Sequence, residues 1–358
     1  MAEDAERSEI EELDEEEPTS TTKVEVEDKP DVTKPKEKAP KSARNIGRNP
    51  LGLIFNLRML RRVVQIIFLL GINAYIFASW YGQEAITQFW TGFRDLLPTL
   101  PIIAPLEAEF AVIGGSFDVM QREFTSGLFP FFTLGAMVII LTVLGRSACG
   151  WVCPIGTIQD FATLPNRTKI RPAPGTEKEL RRLKTYIFAI VIFFTIWVGV
   201  SVVLGTSDAL RNALGIFADA TFDQFNPAYI LFVILPNQDM PTGFENIWLL
   251  GTWGVIVWLQ LIFVALVVVV SFWFPRWFCR WICPAGWLYG FISRDALIGI
   301  GRNPARCTPD VCNTCEVVCP MNIRIRRFPY QHVHSPDCIM CLDCKSHCPN
   351  KAIEIKFL

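Results

Sequence analysis

Cys338, Cys341, Cys344 and Cys348 follow one another at gaps of two, two and three residues, and Pro349 comes next. Upstream, Cys307, Cys312, Cys315 and Cys319 keep the same order and end in Pro320, with the first gap widened to four. A C-x2-C-x2-C-x3-C-P run brings three thiolates to one [4Fe–4S] cubane and sends its fourth to a second cluster. The expected ligand sets are therefore Cys307, Cys312, Cys315 and Cys348 for one cluster, and Cys338, Cys341, Cys344 and Cys319 for the other. The widened gap makes Cys307 the weakest member. Paired zinc sites favour C-x2-C pairs set farther apart, and a reducing compartment disfavours disulfides.

The chain has 12 cysteines, and the four that remain also form a pattern. Cys149-x3-Cys153-Pro154-x-Gly156 returns as Cys279-x3-Cys283-Pro284-x-Gly286, and Arg146 and Trp151 return as Arg276 and Trp281. Every matched position differs by 130. On a helix, residues four apart share a face, so each cysteine pair is expected to point one way. If the duplicated units pack symmetrically, four thiols converge. Four thiolates suit an iron–sulfur cluster or another soft metal, which would be a third centre. Small buried packing residues in a duplicated turn are the competing reading.

Arg324, Arg326, Arg327, Lys345 and Lys351 lie near the two runs in sequence. They can offset cluster charge and raise the potentials, or face anionic lipid. His332, His334 and His347 are the only histidines, and they are expected at the surface rather than as ligands. None falls in an apolar span, so a bis-histidine haem in the membrane is excluded.

Elements that can position these cysteines come from the apolar segments. The chain is 51% hydrophobic and 19% charged, against about 25% charge in a soluble domain, and its mean hydropathy is +0.31. Four stretches carry no formal charge, 63–83, 124–145, 185–207 and 246–275. Each is long enough to cross a bilayer as a helix; the fourth must tilt or start in the interface. Lys and Arg concentrate before the first, in 146–184 and after the fourth, which puts both termini in the cytoplasm. Trp273, Trp277 and Trp281 fit an inner aromatic belt, and Trp80 and Tyr81 an outer one. Two shorter apolar stretches, Leu96 to Leu106 and Phe225 to Pro236, read as loops of the outer face, with re-entrant segments as the alternative.

Residues 1–43 hold 15 acidic and 7 basic side chains. The acidic opening is unlike a signal peptide, and 1–45 is expected to be a disordered cytoplasmic tail. No basic stripe supports nucleic-acid binding. The expected fold is a membrane α-helical protein. Residues 46–300 form a four-helix transmembrane bundle of two repeated helix pairs, and 301–358 a small bacterial-ferredoxin-like 2[4Fe–4S] domain.

This combination of spans, two C-x-x-x-C-P motifs and two cluster runs resembles the NapH/MauN family of membrane-bound ferredoxin-like proteins, which overlaps the membrane core of NosR and CcoG proteins. The resemblance covers roughly residues 46–358. It implies electron transfer between the quinone pool and other redox subunits of a membrane complex, as in quinol dehydrogenases of a prokaryotic inner membrane. The outer loops are too short for a NosR-like flavin domain, and the chain ends nine residues after Pro349, without the extra β domain of CcoG-like proteins. A copper reductase or maturation factor, and a redox sensor or scaffold, are the alternatives. Fold-level likeness does not choose among them.

Overall fold

In a computed structural model, the structure describes residues 57–72, 99–105, 114–166, 169–218, 220–236, 254–308 and 312–357. The expected tail, Trp80, Tyr81 and parts of the first and fourth expected spans lie outside these residues. In chain order the elements are α1 (Leu57–Ile72), β1 (Thr99–Leu100), β2 (Gly114–Gly115), α2 (Ser116–Thr125), α3 (Phe131–Leu144), α4 (Ser147–Trp151), α5 (Pro154–Ala162), α6 (Pro174–Val203) and α7 (Ser207–Leu214). There follow α8 (Pro227–Tyr229), α9 (Val255–Trp273), α10 (Trp277–Trp281), α11 (Pro284–Ile292), β3 (Ile298–Arg302), α12 (Thr314–Val318), α13 (Asp343–His347) and β4 (Ile353–Phe357).

Among the described residues, two helices are long and apolar enough to cross a membrane, 175–203 and 255–273. Only 28% and 22% of their most apolar windows are buried. A soluble core helix would hide most of that surface, so these faces fit lipid. The expected four-helix bundle is not reproduced over the described residues. The second expected span, 124–145, is broken: Gly127 has φ +80°, and Pro130 caps a new helix. What remains, α3, has 14 residues and is about 21 Å long, short of a hydrocarbon core of about 30 Å. The third expected span is instead extended. Pro174 starts α6 at a position where a missing N–H costs nothing, and charged turns precede the apolar part.

The segment read as an outer loop runs inward. Thr99–Leu100 pairs in parallel with Gly114–Gly115, and Ile102 and Ala104 are fully buried. Gly115 is required at this crossing, since a Cβ there would stand 2.6 Å from the Ile102 carbonyl oxygen. Ala228 and Ile230 in the second stretch are also fully buried, and α8 packs on α5 and α9. Trp277 and Trp281 are buried as well, and the Trp277 indole N–H donates to the Val267 carbonyl at 3.0 Å. Only Trp273 keeps the exposure expected of a belt residue.

The duplicated units face each other reciprocally. A Cβ on Gly286 would lie 3.0 Å from Arg146 Nη2, and one on Gly156 would lie 3.3 Å from Arg276 Nη2. The arginine of each repeat therefore covers the glycine of the other, as a two-fold relation requires.

Candidate metal centres

Strand β3 leaves α11 almost at once and pairs antiparallel with β4, Ile300 opposite Ile355. Between them the two cysteine runs adopt the same local form. Cys315 lies in α12, which ends at Cys319 with φ −68° and ψ 116°; Cys344 lies in α13, which ends at Cys348 with φ −67° and ψ 114°. Each terminal sulfur accepts a backbone N–H four residues on, Cys319 from Ile323 at 3.5 Å and Cys348 from Ala352 at 3.2 Å.

Two cavities result. One is lined by Cys319, Cys338, Cys341 and Cys344 among aliphatic side chains such as Ile300, Met321 and Ile339. The other is lined by Cys307, Cys312, Cys315 and Cys348 with Arg302, Arg306 and Arg326. Each joins three cysteines of one run to the last cysteine of the other. Among the described residues no three His, Cys, Asp or Glu side chains close on a point that one metal ion would fill. A cubane is larger than an ion, and its ligands stand around a cavity. The donor chemistry fits such a group: the first cavity is lined by four cysteines and otherwise by Ile, Val and Met, and the backbone N–H groups of Met340 and Asp343 donate to Cys338 and Cys341. Burial pushes the Cys315 and Cys338 thiols up to about 11, whereas a cluster takes the thiolate.

Of the cations expected near the clusters, Arg326 lines a cavity, while Arg324 and Arg327 line a separate cleft beside Glu177. Arg302 and Arg306 were missed because they precede the first cysteine. Arg302 Nη1 lies 4.0 Å from Cys307 Sγ. His334 and His347 are partnered by Asp295 and Arg58. His332 departs from expectation: it is buried, its ring packed on the Cα of Gly299.

The C-x-x-x-C-P cysteines do not share a helix. α4 and α10 stop after Trp151 and Trp281, and Cys153 and Cys283 cap the next helices, which begin at Pro154 and Pro284. Proline lacks the N–H that would continue the first helix, so the chain turns there. The thiols still gather. Burial, then Cys279 and Cys149 nearby, push the Cys153 thiol up to about 12, and burial raises Cys279 and Cys283 too. Gln159 Nε2 donates to Cys279 at 3.2 Å, the Gly286 N–H donates to Cys283 at 3.1 Å, and Cys149 donates to the Pro101 carbonyl at 3.5 Å. The Arg146 guanidinium sits beside Cys149, Asp337 and Cys283.

A buried ionic network locks these turns to the cluster loops. Arg276 grips Asp160 with two bonds, 2.8 and 2.7 Å, and donates to the Cys149 carbonyl at 3.0 Å. Arg61 bonds Asp160, reaches Asp343 at 2.5 Å and donates to the Gly150 carbonyl at 3.2 Å. Burial works against the Asp160 carboxylate, yet Arg276 and Arg61 hold it well below the usual range. A second knot joins Asp337, next to Cys338, to Lys184 at 2.9 Å and Arg181 at 2.5 Å. Direct contact completes the junction. The Trp151 indole donates to the Met340 carbonyl at 2.9 Å, and a Cβ on Gly150 would stand 2.3 Å from the Ile339 carbonyl oxygen. Cys149 thus packs on the membrane core and on the cluster core alike.

Gly150→Ala must therefore push the 338–341 loop away. We expect a loss of about 1–3 kcal/mol, as for overpacked cores. Gly135→Ala, where nothing lies within 4 Å, is expected to stabilise α3 slightly. Thermal unfolding in detergent compares the two; equal shifts would mean the contact is not tight.

Comparisons with known proteins agree with this chemistry. A family profile described as "4Fe-4S binding domain" matches residues 126–172 and 255–303. These residues carry the two C-x-x-x-C-P turns. The ferredoxin-type protein NapH of Haemophilus influenzae is 26% identical over 331 residues, 88% of this chain and 96% of the relative. The likeness to NapH and to a 4Fe-4S binding profile supports the NapH-type family for this chain. The putative electron transport protein YccM of Escherichia coli is 21% identical over 300 residues, 81% of this chain and 72% of the relative. An uncharacterised protein of Methanocaldococcus jannaschii is 27% identical over 224 residues, 63% of this chain and 77% of the relative. No solved structure matches significantly. The likenesses support an iron–sulfur electron transport protein of NapH/YccM type, and the two profile matches fall on the C-x-x-x-C-P turns rather than on the cysteines that line the two cavities.

Proposed function

We propose that the chain is a membrane redox subunit that passes electrons between the quinone pool and a partner complex, with its clusters on the cytoplasmic side. One observation carries the reading: two four-cysteine cavities, the first pressed onto a C-x-x-x-C-P turn through Gly150 and Trp151. Cys319, Cys338, Cys341 and Cys344 would hold one [4Fe–4S] cluster, and Cys307, Cys312, Cys315 and Cys348 the other. Bound there, the clusters supply one-electron carriage. The protein's own work is positioning and tuning.

The cavities differ in a way that suits direction. Three arginines surround the second, and positive charge near a cluster raises its potential. The first is walled by aliphatic side chains. Electrons are accordingly expected to rest on the cluster of Cys307, Cys312, Cys315 and Cys348. The Lys and Arg distribution supports cytoplasmic termini, and the exposed apolar faces of α6 and α9 support residence in the membrane.

The test uses anaerobic holoprotein in detergent, mixed with a short-chain quinol when oxidised and with the matching quinone when reduced, followed by EPR. Electron exchange in at least one direction is expected. Clusters that respond only to dithionite, and are reoxidised only by air, would overturn the quinone link.

A further inference from the structure

A cleft of about 410 Å³ opens beside the first turns of α6, where its charged residues give way to apolar ones. Its walls carry Lys178, Arg181, Arg182, Lys184 and Arg294 against a single carboxylate, Asp337. That carboxylate is already engaged by Lys184 and Arg181, and Arg182 pairs with Glu179 at 2.8 Å. Lys178 and Arg294 are exposed and, among the described residues, have no ion-pair partner. The cleft therefore offers excess positive charge at two accessible side chains.

The opposite wall is aromatic. Trp287 stacks on Phe188 at 4.3 Å and on Phe291 at 5.7 Å, and Phe291 is largely exposed. Beyond Thr185 at the cleft's edge, Tyr186, Ile190 and Phe193 are exposed along α6. Spacings of four and three put them on one helical stripe. A charged pocket thus runs into an apolar stripe on a helix suited to lipid. Free phosphate would use only the first half of this surface; a phospholipid uses both.

We propose that this cleft binds the phosphate headgroup of an anionic phospholipid. Lys178 and Arg294 hold the phosphate, and the acyl chains lie along Tyr186, Ile190 and Phe193. Basic pockets between membrane helices on the cytoplasmic side recognise such headgroups. Gly286, three residues after Cys283, and Pro336, two before Cys338, also line the cleft. Lipid occupancy therefore braces the seam between the repeat and the cluster loops. The inference needs membrane residence but no particular electron donor.

The test takes delipidated holoprotein in a non-ionic detergent. It is titrated with phosphatidylglycerol, phosphatidylcholine or inorganic phosphate, and read by thermal shift and by native mass spectrometry of retained lipid. Phosphatidylglycerol is expected to bind and stabilise, and the other two are not. Lys178→Ala with Arg294→Ala is expected to weaken that binding about thirtyfold, with iron content unchanged because both side chains are exposed. Lys169→Ala, an exposed lysine outside the cleft, is expected to change nothing. Equal binding of phosphatidylcholine, equal effect of inorganic phosphate, or a double variant within about threefold of the parent would each overturn the proposal.

Discussion

Asp160→Asn is expected to cost about 3–5 kcal/mol, the usual penalty for removing one partner of a buried ion pair. Asp160 is the shared anion of Arg61 and Arg276, whose side chains are only 2% and 1% exposed. Without the carboxylate, two guanidinium groups stay buried with one charge partner left, Asp343 on Arg61. The damage reaches the clusters. Arg276 and Arg61 hold the carbonyls of Cys149 and Gly150, and Arg61 reaches the aspartate between Cys341 and Cys344. Lower melting temperature and partial loss of iron should therefore appear together. Replacing the network as a unit, with Arg61→Met, Asp160→Leu and Arg276→Met, is expected to recover much of the stability, since an apolar substitute avoids the desolvation cost. The carboxyl is held below its ordinary range, so its contribution is complete above about pH 4 and fades only as pH falls through the depressed value. A loss under about 1 kcal/mol in Asp160→Asn would mean that the network is not what fixes the junction.

The second large effect concerns the crossed ligands. Cys348→Ser is expected to remove the cluster of the other cysteine run and leave its own. It should therefore leave the same EPR signal as Cys312→Ser. Cys319→Ser and Cys341→Ser should leave the complementary signal. Iron should fall from about eight to about four per chain in all four variants. If Cys348→Ser matches Cys341→Ser instead, each run ligates its own cluster and the reading of the cavities is wrong.

Much of this was legible in the residues. Cysteine spacing gave the groupings that line the two cavities, because short-range spacing limits which thiols can reach one cubane. The repeat was legible for the same reason, and Arg146 and Arg276 stood out only because they recur within it. Periodicity misled at Cys149 and Cys153, where Pro154 ends one helix and starts another. Charge-free length misled at 124–145, since apolarity does not reveal a break at Gly127 to Pro130. The inward course of residues 99–105 was legible only as the re-entrant alternative for a short apolar stretch broken by prolines. Asp160 and Gly150, whose partners lie 116 and 189 residues away, left no local signal. Such contacts exist only once the chain has folded.

Iron and acid-labile sulfide, measured per chain on protein purified without oxygen, test the central claim most directly. Two [4Fe–4S] clusters in the two cysteine cavities predict about eight of each. About four would leave one cavity without its cluster, and about twelve would require a third cluster, with the C-x-x-x-C-P cysteines as its ligands; either result would contradict the account.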